Sequence, residues 1–444
     1  MNFLNGFTLF DEGGEEKRPN QTSRSVTDQR KDLTVRGIAG LVNIGNTCYM
    51  NSILQCLNSI MLFNSWLRQD KYVSRLKKNK LEELQRLKRK KFKLDENTIP
   101  NITKEELQLA CENSLVHRLT QLFKCMWNVN SQITPRSFKE AVGRYKETFR
   151  GFDQNDAQEL LNTMLEWIHE DIKTEVNVSI PNIPKSVVEL IKIQDKCLKI
   201  SQGENYPLKD RIEASNYFKQ YKIDHPDDVV ILSAYSYWKK FNKTKHSIIN
   251  DLFTGLFYSK VECSQCKLTS CNFASFTILS LPIKEHGESN LEECLQNFSK
   301  EESLFGDNKY KCEHCNTLTD AKKTLYIWEA PEILIIQFIR FKNIRSNISK
   351  ITSKINFPIK NLNLKHNSNK LHPVDHIQYD LVAITDHKGP YGFGHYIANC
   401  LNPINNKWYE FNDEKIFHIA NENVINEIVT ENAYILFYVR NRNF

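Results

Sequence analysis

With 444 residues and 40% apolar side chains, the chain can bury a large core, either as two or three average domains or as one elaborated domain. No run of eighteen apolar residues occurs, which excludes a membrane-spanning helix, and the polar segment Met1 to Arg36 lacks the apolar stretch of a secretory signal. The net charge of +7 is modest for this length.

Residues 1 to about 36 read as a flexible tail. From Asn46 to Trp66 the pattern is helical, and Cys48 falls between a glycine-containing turn and the apolar run Ile53-Leu54-Gln55-Cys56-Leu57. A thiol at a helix start meets unpaired N–H groups and the positive end of the helix dipole, which favour the nucleophilic thiolate. Between residues 70 and 100 a basic segment follows, with Leu76, Leu81, Leu84 and Leu87 at near-helical spacing among Lys77, Lys78, Arg86, Lys88, Arg89, Lys90 and Lys91. It reads as a solvated helix, and no aromatic residues interleave to stack on bases, so no nucleic-acid partner is expected. The segment leaves peripheral recruitment to a membrane surface open.

Glu105 to Trp127 reads as one helix, and Thr134-Pro135 as the N-cap and first turn of another through Tyr145. Asp153 or Asn155 could cap the helix that carries Ala157, Leu160, Leu161, Met164, Leu165 and Ile168. A polar insertion with helical stretches spans about 175–245. Beyond it the period shortens to that of strands at Phe257–Glu262, Phe276–Leu281, Leu325–Trp328, Ile333–Phe338, Tyr379–Ile384 and Ala433–Tyr438. Helices first and strands later argue for an α+β fold.

Two Cys-x-x-Cys pairs, Cys263/Cys266 and Cys312/Cys315, have the spacing of two knuckles that give four thiolates to one structural Zn2+. This pattern among twelve cysteines implies a reducing compartment, and the cytoplasm is expected, with nuclear or endosome-associated placement left open. His314, inside the second pair, is read as a bystander, and Cys271 and Cys294 as core. Small residues precede His395 in Tyr391-Gly392-Phe393-Gly394-His395, and a strand-like run follows it, which suits a base at a strand mouth. Asn412 or Asp413, ending Lys407 to Asp413, could accept the Nδ1–H of His395 and set its tautomer. Cysteine first, with histidine and Asn or Asp far downstream, is the order of papain-like proteases.

These residues resemble the ubiquitin-specific proteases, papain-like deubiquitinases with a helical thumb, a β-rich palm and zinc-knuckle fingers. The resemblance rests on Gly40 to Gln55, on Gln154-Asn155-Asp156-Ala157-Gln158-Glu159-Leu160-Leu161, and on Gly394-His395-Tyr396 with Trp408-Tyr409 and Phe411-Asn412-Asp413. The run from Leu291 to Glu302 is similar to the ubiquitin-specific protease 8 type of catalytic domain. The resemblance implies a catalytic domain over 37–444, with fingers at about 255–325, that hydrolyses the bond after ubiquitin's C-terminal glycine. In it, Cys48 is the nucleophile, His395 the base, Asn412 its orienter, and Asn43 the oxyanion donor beside the Cys48 N–H. Asp156 faces ubiquitin's basic tail from a helix that also carries Gln154 and Glu159, and His387 and Tyr396 line a channel for the diglycine end. Phe393 stands where the family has a small residue. The competing expectation is an inactive ubiquitin-binding scaffold whose channel Phe393 closes.

Overall fold

A computed structural model describes residues 35–178, 183–344, 347–374 and 376–441. The tail expected up to residue 36 therefore lies outside the described residues as far as 34. The helical part comprises α1 (Cys48–Ser59), α2 (Met61–Arg68), α3 (Val73–Phe92), α4 (Lys104–Glu112), α5 (Leu115–Asn128), α6 (Arg136–Tyr145) and α7 (Ala157–Ile172). The insertion supplies α8 (Lys185–Gln202), α9 (Leu208–Asp224) and α10 (Pro226–Thr244), and α11 (Ile248–Phe253) leads into the strands.

Among the described residues, the main sheet has eight strands. Seven follow one another in space as Lys415–Ile419, Lys407–Asn412, His395–Asn402, Gln378–Lys388, Ala433–Arg440, Ile333–Ile339 and Ile278–Pro282, and Leu362–Asn363 pairs beside Gln378–Lys388. Neighbours run antiparallel except the last two on this path. A four-stranded finger sheet is built around Gly255–Cys263, with Thr269–Phe276 on one side and Ala321–Glu329 on the other.

α1 is buried along its whole length between the other helices and the main sheet, although five of its twelve residues are polar. The donors of those side chains are all occupied. Asn51 donates to the Leu41 carbonyl (3.1 Å), Gln55 to Ala39 (2.7 Å) and Asn58 to Gly37 (3.4 Å), so one polar face clamps the incoming segment. Ser52 and Ser59 bond back to carbonyls of their own helix. Burying these groups without partners would cost about 1–3 kcal/mol each.

The sequence expectations for existence and type of elements agree with this architecture, and several boundaries move. Ile60 adopts extended backbone and separates α1 from α2, while Ser114 leaves one helix and caps the next, so the Glu105–Trp127 run is two helices. Pro135 occupies the cap position of α6 in place of Thr134. The cap of α7 is Asp156, not Asp153 or Asn155: its carboxylate accepts from the Gln158 N–H at 2.7 Å. Thr277 divides the expected Phe276–Leu281 strand between the two sheets. The end of the insertion packs on the finger sheet. Val230 and Ala234 of α10 are buried against Leu256, Tyr258, Phe273 and Trp328 of the finger sheet, and the Tyr237 hydroxyl accepts from the Ser275 N–H. α9, by contrast, buries no residue fully. Cys294 is core, whereas Cys271 is only half-buried.

The basic α3 buries Leu76 alone, so polar contacts hold it. Lys80 meets the buried Asp171 carboxylate at 2.9 Å, and Asn79 donates to the Asp171 and Lys173 carbonyls. Asp171 also accepts from the Leu115 and Val116 N–H groups at the start of α5 and from the Tyr145 hydroxyl. One carboxylate thus joins α3, α5, α6 and α7. Removing one partner from a buried pair strands the other, so Asp171→Ala is expected to lower unfolding stability by about 3–5 kcal/mol in a denaturant titration. Asp171→Asn, which keeps part of the hydrogen bonding, should cost less, and equal stabilities for the three proteins would contradict this account.

Candidate active site

Cys48 opens α1 after a loop that one side chain organises. The Asn43 Oδ1 accepts from the Gly45 N–H (3.1 Å), the Thr47 N–H (3.0 Å) and the Thr47 hydroxyl (3.2 Å). Gly45 (φ +113°) and Asn46 (φ +49°) provide the left-handed turn this wrapping requires. The loop holds the Cys48 backbone N–H free of cap bonding, because no side chain caps this helix.

His395 begins one central strand and Asn412 ends its neighbour, so the pleat sets the two side chains together at the sheet's edge nearest Cys48. His395 Nε2 donates to Asn412 Oδ1 at 2.8 Å. The expected tautomer is therefore corrected: Nε2, not Nδ1, carries the orienting bond, and Nδ1 is left for Cys48. The sequence order suggested the partner but not the ring's direction, which depends on which strand lies beside it. A hydrogen bond with Cys48 is the largest influence on His395 and raises its pKa to about 9, against the opposing effect of burial.

Asp413 sits in the turn after Asn412 with φ +53°. Its carboxylate accepts from Asn43 Nδ2 at 2.9 Å and from Asn51 Nδ2 at 2.8 Å, and it lies 4.0 Å from His395 Nε2. Its carbonyl accepts from the Leu41 N–H at 3.0 Å. Sequence reasoning missed Asn51, whose signal was a polar residue one turn after the nucleophile on a helix with no exposed face.

A cluster of packed rings lies one residue along the strands from His395. His387 and Tyr396 pair across adjacent strands with ring centroids 4.7 Å apart, Phe341 stands 5.2 Å from His387 and 5.4 Å from Tyr434, and Tyr434 is 6.3 Å from Tyr396. The Tyr434 hydroxyl donates to the Asp156 carboxylate at 2.9 Å, which ties the cap of α7 to this cluster. Burial first, then the nearby Lys350 and Arg340, depress the His387 pKa to about 4, so this imidazole is neutral near pH 7. Glu159 is taken by Lys146 at 2.5 Å, and Gln154 is exposed in the segment before the cap. Phe393 is 87% exposed. The restrictive position is Gly394, where a Cβ would lie 2.1 Å from His387 Nε2 and 2.8 Å from the Lys388 carbonyl.

At the far end of the finger sheet, Cys263, Cys266, Cys312 and Cys315 place their Sγ atoms within 4.8 Å of one another, so the cluster could hold a metal ion. His314 is no part of it. The residue after each pair, Lys267 (φ +62°) and Asn316 (φ +54°), is left-handed, so the two turns are built alike.

A family model described as ubiquitin carboxyl-terminal hydrolase matches residues 39–438. The chain belongs to the ubiquitin carboxyl-terminal hydrolase family. It is 30% identical over 457 residues to the probable ubiquitin carboxyl-terminal hydrolase R319 of Acanthamoeba polyphaga mimivirus, covering 97% of this chain and 96% of that protein. It is also 30% identical over 438 residues to ubiquitin carboxyl-terminal hydrolase 2 of Bos taurus, where it spans 60% of the longer protein's length. Among solved structures, the SAGA Ubp8/Sgf11/Sus1/Sgf73 DUB module bound to ubiquitin aldehyde superposes with a TM-score of 0.61 at 22% identity, over 93% of this chain and 71% of that one, a likeness of fold. The family is one of cysteine-type deubiquitinating proteases, and this chain is a member.

Two outcomes follow for activity on ubiquitin with a fluorogenic C-terminal group. Because His395 keeps its proton to about pH 9, and that proton is the one the leaving group takes, kcat/KM should fall along an alkaline limb near that pH, not near the ordinary histidine value of about 6.5. By linkage, the same raised pKa adds stability that is complete below the unfolded value and lost as pH climbs through about 9. Gly394→Ala should cost about 10²-fold by displacing His387 and the strand that pairs with His395, whereas Phe393→Ala should stay within about twofold of wild type. The reverse ranking would restore Phe393 as a gate.

Proposed function

We propose that residues 37–444 form the catalytic unit, which hydrolyses the peptide or isopeptide bond after ubiquitin's C-terminal glycine on conjugated proteins or ubiquitin chains. The observation that carries this reading is the relay Cys48–His395–Asn412 beside a buried ring cluster, with no room for a Cβ at Gly394. In this reading ubiquitin's glycine end runs past Gly394, with Asp156 facing the basic residues of the tail.

The thiolate of Cys48 attacks the glycine carbonyl, and the imidazolium of His395 protonates the departing lysine amine through Nδ1. Asn412 keeps the ring in the tautomer that leaves Nδ1 toward the thiol. The resulting thioester is hydrolysed by a water that His395 deprotonates in turn. The tetrahedral oxyanion is met by the Cys48 N–H and by the second N–H of the Asn43 amide, the first being committed to Asp413. The exposure of Phe393 gives no support to an inactive scaffold.

In the fingers, the four thiols suit zinc. Cys266 and Cys312 Sγ are 3.7 Å apart, and Cys263 and Cys315 are 4.0 Å apart. A tetrahedron with Zn–S of about 2.3 Å has edges of about 3.8 Å. Such an ion supplies a structural cross-link between the two hairpins and leaves no open position for chemistry. Thiolate ligation of this kind supports a reducing, cytoplasmic setting.

A ubiquitin C-terminal electrophile should label wild type and fail on Cys48→Ala, and Asn43→Ala should lower kcat by about 10²–10³. Absence of labelling on folded, reduced protein would sink the proposal. Metal analysis should return one zinc per chain, and Cys312→Ser with Cys315→Ser should abolish it and lower the melting temperature.

A further inference from the structure

On the helical side of the nucleophile loop lies a groove of about 590 Å³. Its lining carries four cations, Arg136, Lys139, Arg144 and Arg150, against one acid, Glu140. The groove shares a wall with the loop that presents Cys48, because Ile44 lines it and so does Phe152. The Phe152 ring packs on Gly45, where a Cβ would lie 2.5 Å from its Cδ1, and the Phe152 carbonyl accepts from Asn46 Nδ2 at 2.8 Å. The cavity therefore opens within four residues of the thiol.

The cations are largely uncommitted. Arg136, Glu140 and Arg144 recur every four residues along the exposed face of α6, yet no ion pair forms among them or with any other described residue. Arg144 reaches only the Asn113 carbonyl at 3.4 Å, and Arg150 only Glu147 at 3.8 Å across an exposed gap. Lys139 is 7% exposed and meets two neutral groups, the Tyr49 hydroxyl at 3.2 Å and the Phe149 carbonyl at 2.5 Å. Burial lowers its pKa, and only Asp153 acts in the other direction. A buried ammonium without a carboxylate beside it is costly, and an anion entering the groove would relieve that cost.

We propose that this groove receives an acidic stretch of the conjugated protein close to the lysine from which ubiquitin is removed, so that conjugates at acidic sequences are cleaved preferentially. The proposal rests on the deubiquitinase reading of Cys48. Ubiquitin's own tail is basic and is matched by Asp156 beside the ring cluster, so the cationic groove disfavours the tail and suits the other side of the scissile bond. No array of exposed rings accompanies the cations, which favours a carboxylate-bearing peptide over a single-stranded nucleic acid.

The test uses ubiquitin joined by an isopeptide bond to the lysine of two peptides, one flanked by Asp and Glu and one by Ser and Gly. A third substrate carries a small fluorophore at ubiquitin's C-terminus. At low salt, the wild type should prefer the acidic conjugate by about tenfold, mainly through KM, as expected for about three exposed ion pairs. The preference should shrink as salt shortens the screening length below about 10 Å. Arg136→Ser with Arg144→Ser and Arg150→Ser should abolish the preference while leaving the fluorogenic reaction unchanged, which also shows the variant to be folded. Equal wild-type rates on the two conjugates overturn the proposal, as does a preference that survives in the variant or is abolished by added single-stranded RNA but not by free acidic peptide. Failure to cleave any of the three substrates would instead overturn the reading of Cys48 itself.

Discussion

Everything at this site depends on one carboxylate. Asp413 receives Asn43 on one oxygen and Asn51 on the other, while its carbonyl holds the Leu41 N–H. Asn51 and Asn43 lie 362 and 370 residues away in the chain, on the helix and loop that carry the thiol. Asp413 itself follows the residue that orients His395. The carboxylate therefore fixes the distance between nucleophile and base, two groups supplied by opposite ends of the chain. The approach is too close for any side chain at Gly40, where a Cβ would lie 2.4 Å from the Glu414 carbonyl. A hydrogen-bonded anchor of this kind locks a geometry that packing alone would leave adjustable, and catalysis is sensitive to shifts of about 1 Å.

The same region shows how surroundings divide the work of two histidines only eight positions apart. His395 lies beside the Cys48 thiol and the Asn412 amide, and is held cationic to about pH 9. His387 lies one pair along the ladder, among rings and near Lys350 and Arg340, and stays neutral down to about pH 4. The first takes part in charge separation with the thiol. The second forms a wall that a charged imidazolium would wet. Burial acts in the same direction on both, so the difference comes from their neighbours.

Much of this was legible in the sequence because the signals are local. A cysteine between a glycine turn and an apolar helix, two Cys-x-x-Cys pairs, and small residues before a histidine each state their chemistry within a dozen residues. The fold class was legible because the change from helical to alternating periodicity is abrupt near Leu256. What escaped depends on contacts between distant segments. The His395 ring direction follows from strand pairing, and the role of Asn51 follows from a turn on the other side of the protein. The divisions at Ile60 and Thr277 arise where one apolar run serves two packing surfaces. Phe393 drew attention as a bulky residue, yet the backbone turns it outward, and the restrictive position is its neighbour Gly394. The packing of the insertion's end was not legible because its polar residues outnumber Val230 and Ala234, which meet the finger sheet only in the folded chain.

The central claim is that Asp413 sets the registry of thiol and imidazole, and the most direct measurement is kcat/KM of Asp413→Ala on ubiquitin bearing a C-terminal fluorophore. With Cys48, His395 and Asn412 all present and the protein folded, the account predicts a loss of at least about 10²-fold. Activity within about threefold of wild type would contradict it, because the triad would then hold its geometry without the carboxylate.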